Sequence, residues 1–161
     1  MHRIIYILLF NFLFSETNVN GSVNGNWTVD NSPYIVTNNL IIQSDDSLII
    51  DPGVEIKFDG NFRFDIFGYL ESVGTETDSI IFTKNGDDYW MSLNFADSAN
   101  DSSKIQYSII EYGSNSGVPY YGMVNFYYSS PKFSNNRISY SDSDTYCLLY
   151  LEWSQSDILN N

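Results

Sequence analysis

The segment LIIDPGVEIKFDG, residues 48–60, constrains the fold more than any other part of this chain. Leu48 and Ile50 alternate along one short run, Val54, Ile56 and Phe58 along the next, and Asp51-Pro52-Gly53 stands between them. Pro52 fixes its own φ and lacks an amide donor, while Gly53 can take a φ that other residues avoid. Together they turn the chain sharply without the signature of a hairpin. A strand that turns and continues as strand, with the same alternation, belongs to a coil built from several short sheets.

The rest of the sequence past residue 39 has the same grain. Short runs rich in β-branched and aromatic residues, LII at 40 and 48, VEIKF at 54, FRFDIFGYL at 62, SIIFT at 79, WMSLNF at 90, KIQYSIIEY at 104, MVNFYY at 123, KFSNNRIS at 132 and CLLYLEW at 147, are separated by clusters of Gly, Asn, Asp and Ser. Hardly any segment has helical periodicity. Ile56 and Phe58 recur as Ile80 and Phe82, these recur as Ile105 and Tyr107, and IQYSII aligns with FSNNRI 28 residues on. A degenerate repeat of this length is that of a solenoid. The expected fold is all-β, a right-handed parallel β-helix of about five coils, each coil stacking its strands on the next at about 4.8 Å. Gly68 and Gly74 read as further corners, with Ile66, Leu70, Val73, Ile80 and Phe82 facing inward. Asn135-Asn136 reads either as a corner whose amides hydrogen-bond along the stack or as an ordinary Asx turn.

These residues carry a family resemblance. Residues 32–83, SPYIVTNNLIIQSDDSLIIDPGVEIKFDGNFRFDIFGYLESVGTETDSIIFT, resemble the N-terminal region of secreted bacterial right-handed parallel β-helix repeat proteins. Those proteins carry an L-x-I-x-P-G-V-x-I-x-F run before G-x-L-x-A-x-G-T and I-x-F-T. IQYSIIEYG and SSPKFSNNRI are similar to their later coils, so the likeness covers roughly residues 25–140; Ser72 stands where the family usually has Ala. The resemblance implies an exported, often surface-associated protein. Its members include structural, adhesive and carbohydrate-acting proteins, so it does not choose among those functions.

At its start the chain has the layout of a secretory signal peptide: His2 and Arg3, then an apolar run from Ile4 to Phe14 broken only by Asn11. Residues 1–21 are read as this leader, with cleavage after Ser15 or Gly21, and 22–161 as the β-helix domain. The run is short for a bilayer and no second one follows, so no membrane span is expected. Removal of the leader leaves six basic against 20 acidic residues, a formal charge of −14. Such a surface repels nucleic acid and anionic lipid. Asn26-Trp-Thr and Asn100-Asp-Ser fit the N-glycosylation pattern, which matters only in a eukaryotic source.

The residue inventory narrows the chemistry. His2 is the sole histidine and lies in the leader, so a mature chain has no imidazole for a Ser-His-Asp or Cys-His site or for a metal. Cys147 is the sole cysteine, which rules out an intramolecular disulfide. Carboxylates remain. The pairs Asp45-Asp46 and Asp87-Asp88 stand in loops, where acids are usually just solvated; Asp87, Asp88 and Asp97 are the candidates for weak Ca²⁺ binding, and no cofactor is expected. The other feature is VPYYGMVNFYY, residues 118–128. Tyr120, Tyr121 and Tyr127 are its candidate sugar-stacking residues, against the alternative that aromatic side chains fill the coil interior or stack between rungs.

The function expected from these features is that of a secreted structural, adhesive or surface-recognition module, with surface glycans or other cell-surface proteins as partners. The alternative is a fragment of a carbohydrate-active β-helix enzyme, a polysaccharide lyase or glycoside hydrolase. Carboxylates aligned over consecutive coils would favour the enzyme, an exposed aromatic face the binding module. The apolar run CLLYLEW near residue 161 reads as an uncapped coil of a truncated solenoid, open to self-association through Leu149, Leu151 and Trp153, while Trp27–Ile42 is expected to cover the other end.

Overall fold

A computed structural model describes residues 16–161 except 116, 118 and 144; the apolar leader run lies outside the described residues. The chain winds as a parallel β-solenoid of about five turns, with a single 3₁₀ turn at Val29–Asn31 as its helical element among the described residues. The first layer is β1 (Thr17–Ser22) and β2 (Gly25–Trp27), and the second is β3 (Tyr34–Ile42) and β4 (Ser47–Ile50). Then come β5 (Glu55–Phe58), β6 (Phe64–Ile66) and β7 (Tyr69–Val73), followed by β8 (Ile80–Lys84), β9 (Leu93–Phe95) and β10 (Lys104–Gln106). The last two layers are β11 (Ser108–Glu111), β12 (Gly122–Tyr127), β13 (Lys132–Ser134) and β14 (Arg137–Ser139), β15 (Cys147–Glu152), β16 (Ile158–Leu159).

Three faces result. The first runs β3-β5-β8-β11-β14, the second β3-β6-β9-β12-β15 and the third β2-β4-β7-β10-β13-β16. The first two are one continuous sheet because β3 passes through the corner between them, pairing Tyr34–Val36 with β5 and Leu40–Ile42 with β6. β1 lies on β3 across the same corner. A leader ending at Ser15 leaves β1 whole, whereas one ending at Gly21 takes most of it.

Alternation on every strand decides what is inside. On the second face Leu40, Phe64, Leu93, Val124 and Leu149 stack in register, as do Ile42, Ile66, Phe95, Phe126 and Leu151. Most are fully buried, and burial of each such side chain contributes about 1.5–3 kcal/mol. Trp90 enters the interior from the connection after β8 and stacks on Phe58 at 4.3 Å between ring centroids. Its indole N–H donates to the carbonyl of Glu111 at 2.8 Å.

Several sequence expectations are corrected here. FRFDIFGYL, KIQYSIIEY and KFSNNRIS each split into two strands on different faces. Ile56 stacks on Phe82, and Phe82 on Ile110, instead of on Ile80 and Tyr107 as equal spacing implied. Ile105 belongs to the third face, against Ser72 and Phe133. Val73 faces outward, and Ser72, fully buried, takes the inward place. The segment Trp27–Ile42 does not lie over the end of the solenoid; it contributes to two layers, with Trp27 and Tyr34 stacked at 4.4 Å inside. The IQYSII–FSNNRI register of 28 holds, with Ile105 on Phe133 and Ile110 on Ile138.

Two corner devices were legible. At Pro52-Gly53 the chain leaves the third face with Gly53 at φ 81°, and Gly53 donates to the Asp78 carbonyl of the next coil at 3.1 Å. Asn135, at φ 57°, accepts from the Asn160 amide at 3.3 Å, and Asn136 accepts from the Ser108 backbone at 2.9 Å while its own backbone N–H donates to the Asn161 side chain at 2.9 Å. The Asn pair is therefore a ladder linking three coils.

Candidate functional site

Outward positions on the second face form the most distinctive surface. Ile41, Asp65, Asn94, Asn125 and Tyr150 follow one another in register, pointing away from the coil interior. The middle three are nevertheless buried. Asn125 donates to Asn94 at 2.9 Å, Asn94 donates to Asp65 at 2.8 Å, and the Arg63 guanidinium closes the row on the other Asp65 oxygen at 2.7 Å. A buried polar row is stable only when its groups are partnered, and these bonds supply partners from one coil to the next. Tyr120 arrives from the 112–121 connection. Burial first, then the Asp65 carboxylate, raises its hydroxyl pKa, with Arg63 opposing.

Beyond this row the last two coils carry rings. Tyr120 meets Tyr127 edge-on at 6.1 Å, Tyr127 meets Tyr128 at 4.8 Å, and Tyr128 lies nearly parallel to Trp153 at 6.1 Å and 26°. Tyr121 meets Tyr146 and Tyr150 edge-on at 5.9 and 5.2 Å. The three sequence candidates, Tyr120, Tyr121 and Tyr127, are thus on one face and outside the coil, but half-buried against other rings. Phe126, from the same run, is wholly internal.

The most accessible rings are ones the sequence reading did not choose as ligand-binding. Trp153 is 77% exposed and Tyr146 80%, with Tyr128 less so. Tyr128 and Trp153 have left-handed backbones, φ 51° and 53°, each immediately after an outward residue of the second face. That conformation breaks the second-face strand and starts the turn toward the third face, completed by 129–131 and 154–157, with the side chain left exposed. The 25-residue offset between NFYYSS and YLEWSQ, which pairs Tyr128 with Trp153, was the signal available.

Acidic groups flank these rings. Counting on from the Phe95–Phe126–Leu151 register, Asp97, Tyr128 and Trp153 occupy one corner in successive coils. Glu152 accepts the Tyr150 hydroxyl at 2.9 Å, a bond that, ahead of burial, raises the Tyr150 pKa. Burial, then Glu152, Tyr128 and Asp97, raises that of Tyr127. Both phenols remain neutral donors at physiological pH. Asp87 and Asp88 lie elsewhere, exposed in the connection after β8, where Lys84 donates to the Asp87 carbonyl at 2.9 Å and sits over the Tyr89 and Tyr112 rings. They therefore do not join Asp97, and among the described residues no three acidic, His or Cys side chains gather as a metal-holding group.

The fold and this surface define a class, a parallel β-solenoid with an aromatic outer face. No family model, curated protein or solved structure matches the chain. No described helix is long and apolar enough to cross a membrane.

Proposed function

We propose that the chain is an exported surface-recognition module that binds glycans through the rings of its second face. The observation that carries this reading is Trp153, mostly exposed and held beside Tyr128 at a corner, with the hydroxyl-bearing Tyr127, Tyr146 and Tyr150 in the same region. A flat apolar ring covers the C–H face of a sugar while neighbouring hydroxyls exchange hydrogen bonds with its rim. The polar row beneath continues from Asp65 as Asn94 and Asn125, amides in place of further carboxylates, which supports binding over acid–base cleavage.

Retention on immobilised glycans tests the proposal. Trp153→Ala and Tyr128→Ala should each weaken retention about tenfold, since loss of one stacked ring removes about 1–2 kcal/mol, with circular dichroism and melting temperature little changed. Full retention by the double variant would sink it.

A further inference from the structure

Resting on that reading, we infer that the glycan this face takes carries free amino groups, positively charged at neutral pH, and is neither a uronate nor a sulfated polymer. Of seven basic residues, Arg3 lies outside the described region, leaving six. Lys57 pairs with Glu55 at 2.9 Å, Arg63 with Asp65, Lys104 with Glu71 at 3.0 Å and Arg137 with Glu111 at 3.6 Å. Lys84 is held over two tyrosines, and Lys132 is on β13 of the third face. None belongs to the second face in its last two coils. An acidic polymer lying along that face would meet no cation on its outward positions there; Lys132 stands past the corner, four residues after Tyr128.

What it would find is negative charge. Glu152 stands beside Tyr127 in register, and Asp97 occupies the corner of Tyr128 one coil back. Glu152 adjoins Trp153 in sequence and Asp97 holds the same corner two coils away, beyond Tyr128, so an amino sugar chain lying across the Tyr128 and Trp153 rings meets an acid at each end of the pair while the ring quadrupoles attract its ammonium groups. The same acids disfavour an anionic sugar, so the arrangement selects by repulsion as well as attraction.

Isothermal titration of the full chain separates the possibilities, using β-1,4-linked glucosamine oligomers, their N-acetylated forms, neutral glucan oligomers and oligogalacturonate. The free-amine oligomer should bind most tightly, and its affinity should fall several-fold from 50 to 500 mM salt. Glu152→Gln with Asp97→Asn should bring it down about fivefold, toward the acetylated form. Asp45→Asn with Glu76→Gln, which removes the same charge from exposed positions on earlier coils, should leave it unchanged. Equal loss in the two double variants would reduce the effect to bulk charge and overturn the inference. So would equal binding of acetylated and free-amine oligomers, or preference for the uronate, while leaving glycan binding intact. Absence of binding to every oligomer would overturn both.

Discussion

A left-handed residue stands at most corners of the later coils, and it is rarely glycine. Tyr107, Tyr112, Tyr128, Asn135, Tyr140, Trp153 and Asn160 all have φ between 51° and 59°. A left-handed L-residue costs about 1–2 kcal/mol, so something in the stack must offset it. At Tyr112 and Tyr140 the rings stack at 5.1 Å and 10°, and at Asn135 and Asn160 the amides bond. Asn136 is the sharpest test. Its amide is buried, donates to the Ile105 carbonyl at 2.9 Å and accepts from Ser108. Asn136→Ala should cost about 1–3 kcal/mol in urea unfolding, because both backbone groups lose their partner; a loss below 0.5 kcal/mol would remove the ladder's structural role. The third face carries a charge effect of known sign. Glu71 accepts the Tyr69 hydroxyl and then the Lys104 ammonium, which together hold its carboxyl below the ordinary value. A depressed folded pKa gives stability that is present above the unfolded value, about 4.3, and is lost as pH falls through the folded one. The gap between wild type and Glu71→Gln should therefore be largest near neutrality, below about 1 kcal/mol since the group is partly exposed, and should close in acid. A gap that widened in acid would contradict the assignment.

Strands and corners differ in how they are written. Pro-Gly, Gly68 and Gly74 punctuate the first coils visibly, so β4, β5 and β8 were readable almost to the residue. Tyr107 punctuates silently, because a tyrosine inside an alternating run looks like more strand. That is why two faces merged in KIQYSIIEY, and why Tyr128 and Trp153 were read as strand residues and not as corners. The connections also have unequal lengths, so a fixed period of 24 or 25 slid the register by two or three residues. Glycines at these corners serve two needs that one experiment separates. Gly53 has a left-handed backbone and only ordinary contacts at 3.8 Å around a Cβ, so Gly53→Ala should cost about 1–2 kcal/mol. Gly68 has no such φ, but a Cβ there would fall on the carbonyl oxygens of Gln43 and Asp46, the second of which accepts the Tyr69 amide. Gly68→Ala should cost about 3 kcal/mol or more, since neighbouring coils would have to part. Equal costs would mean that conformation alone sets both positions.

Across the whole molecule, each coil is held by its neighbours, and β14–β16 have one on only one side within this chain. Leu151 and Ile158, inward by register, are 40% and 37% exposed there, whereas Leu149 is half-buried. A polypeptide of these residues should associate through that open layer, and Leu149→Lys with Leu151→Glu should lower the association measured by sedimentation; an unchanged mass distribution would direct attention to another surface. The connections from first face to second span 59–63, 85–92, 112–121 and 140–146, while the turn from third to first shrinks to Tyr107 alone or Asn135-Asn136. Insertions along the first of these seams would cost the rungs little, whereas the one- and two-residue turns of the later coils along the other leave no room for them. New specificities would be written at the first seam, beside the ringed face, as a varied margin on a fixed column of text.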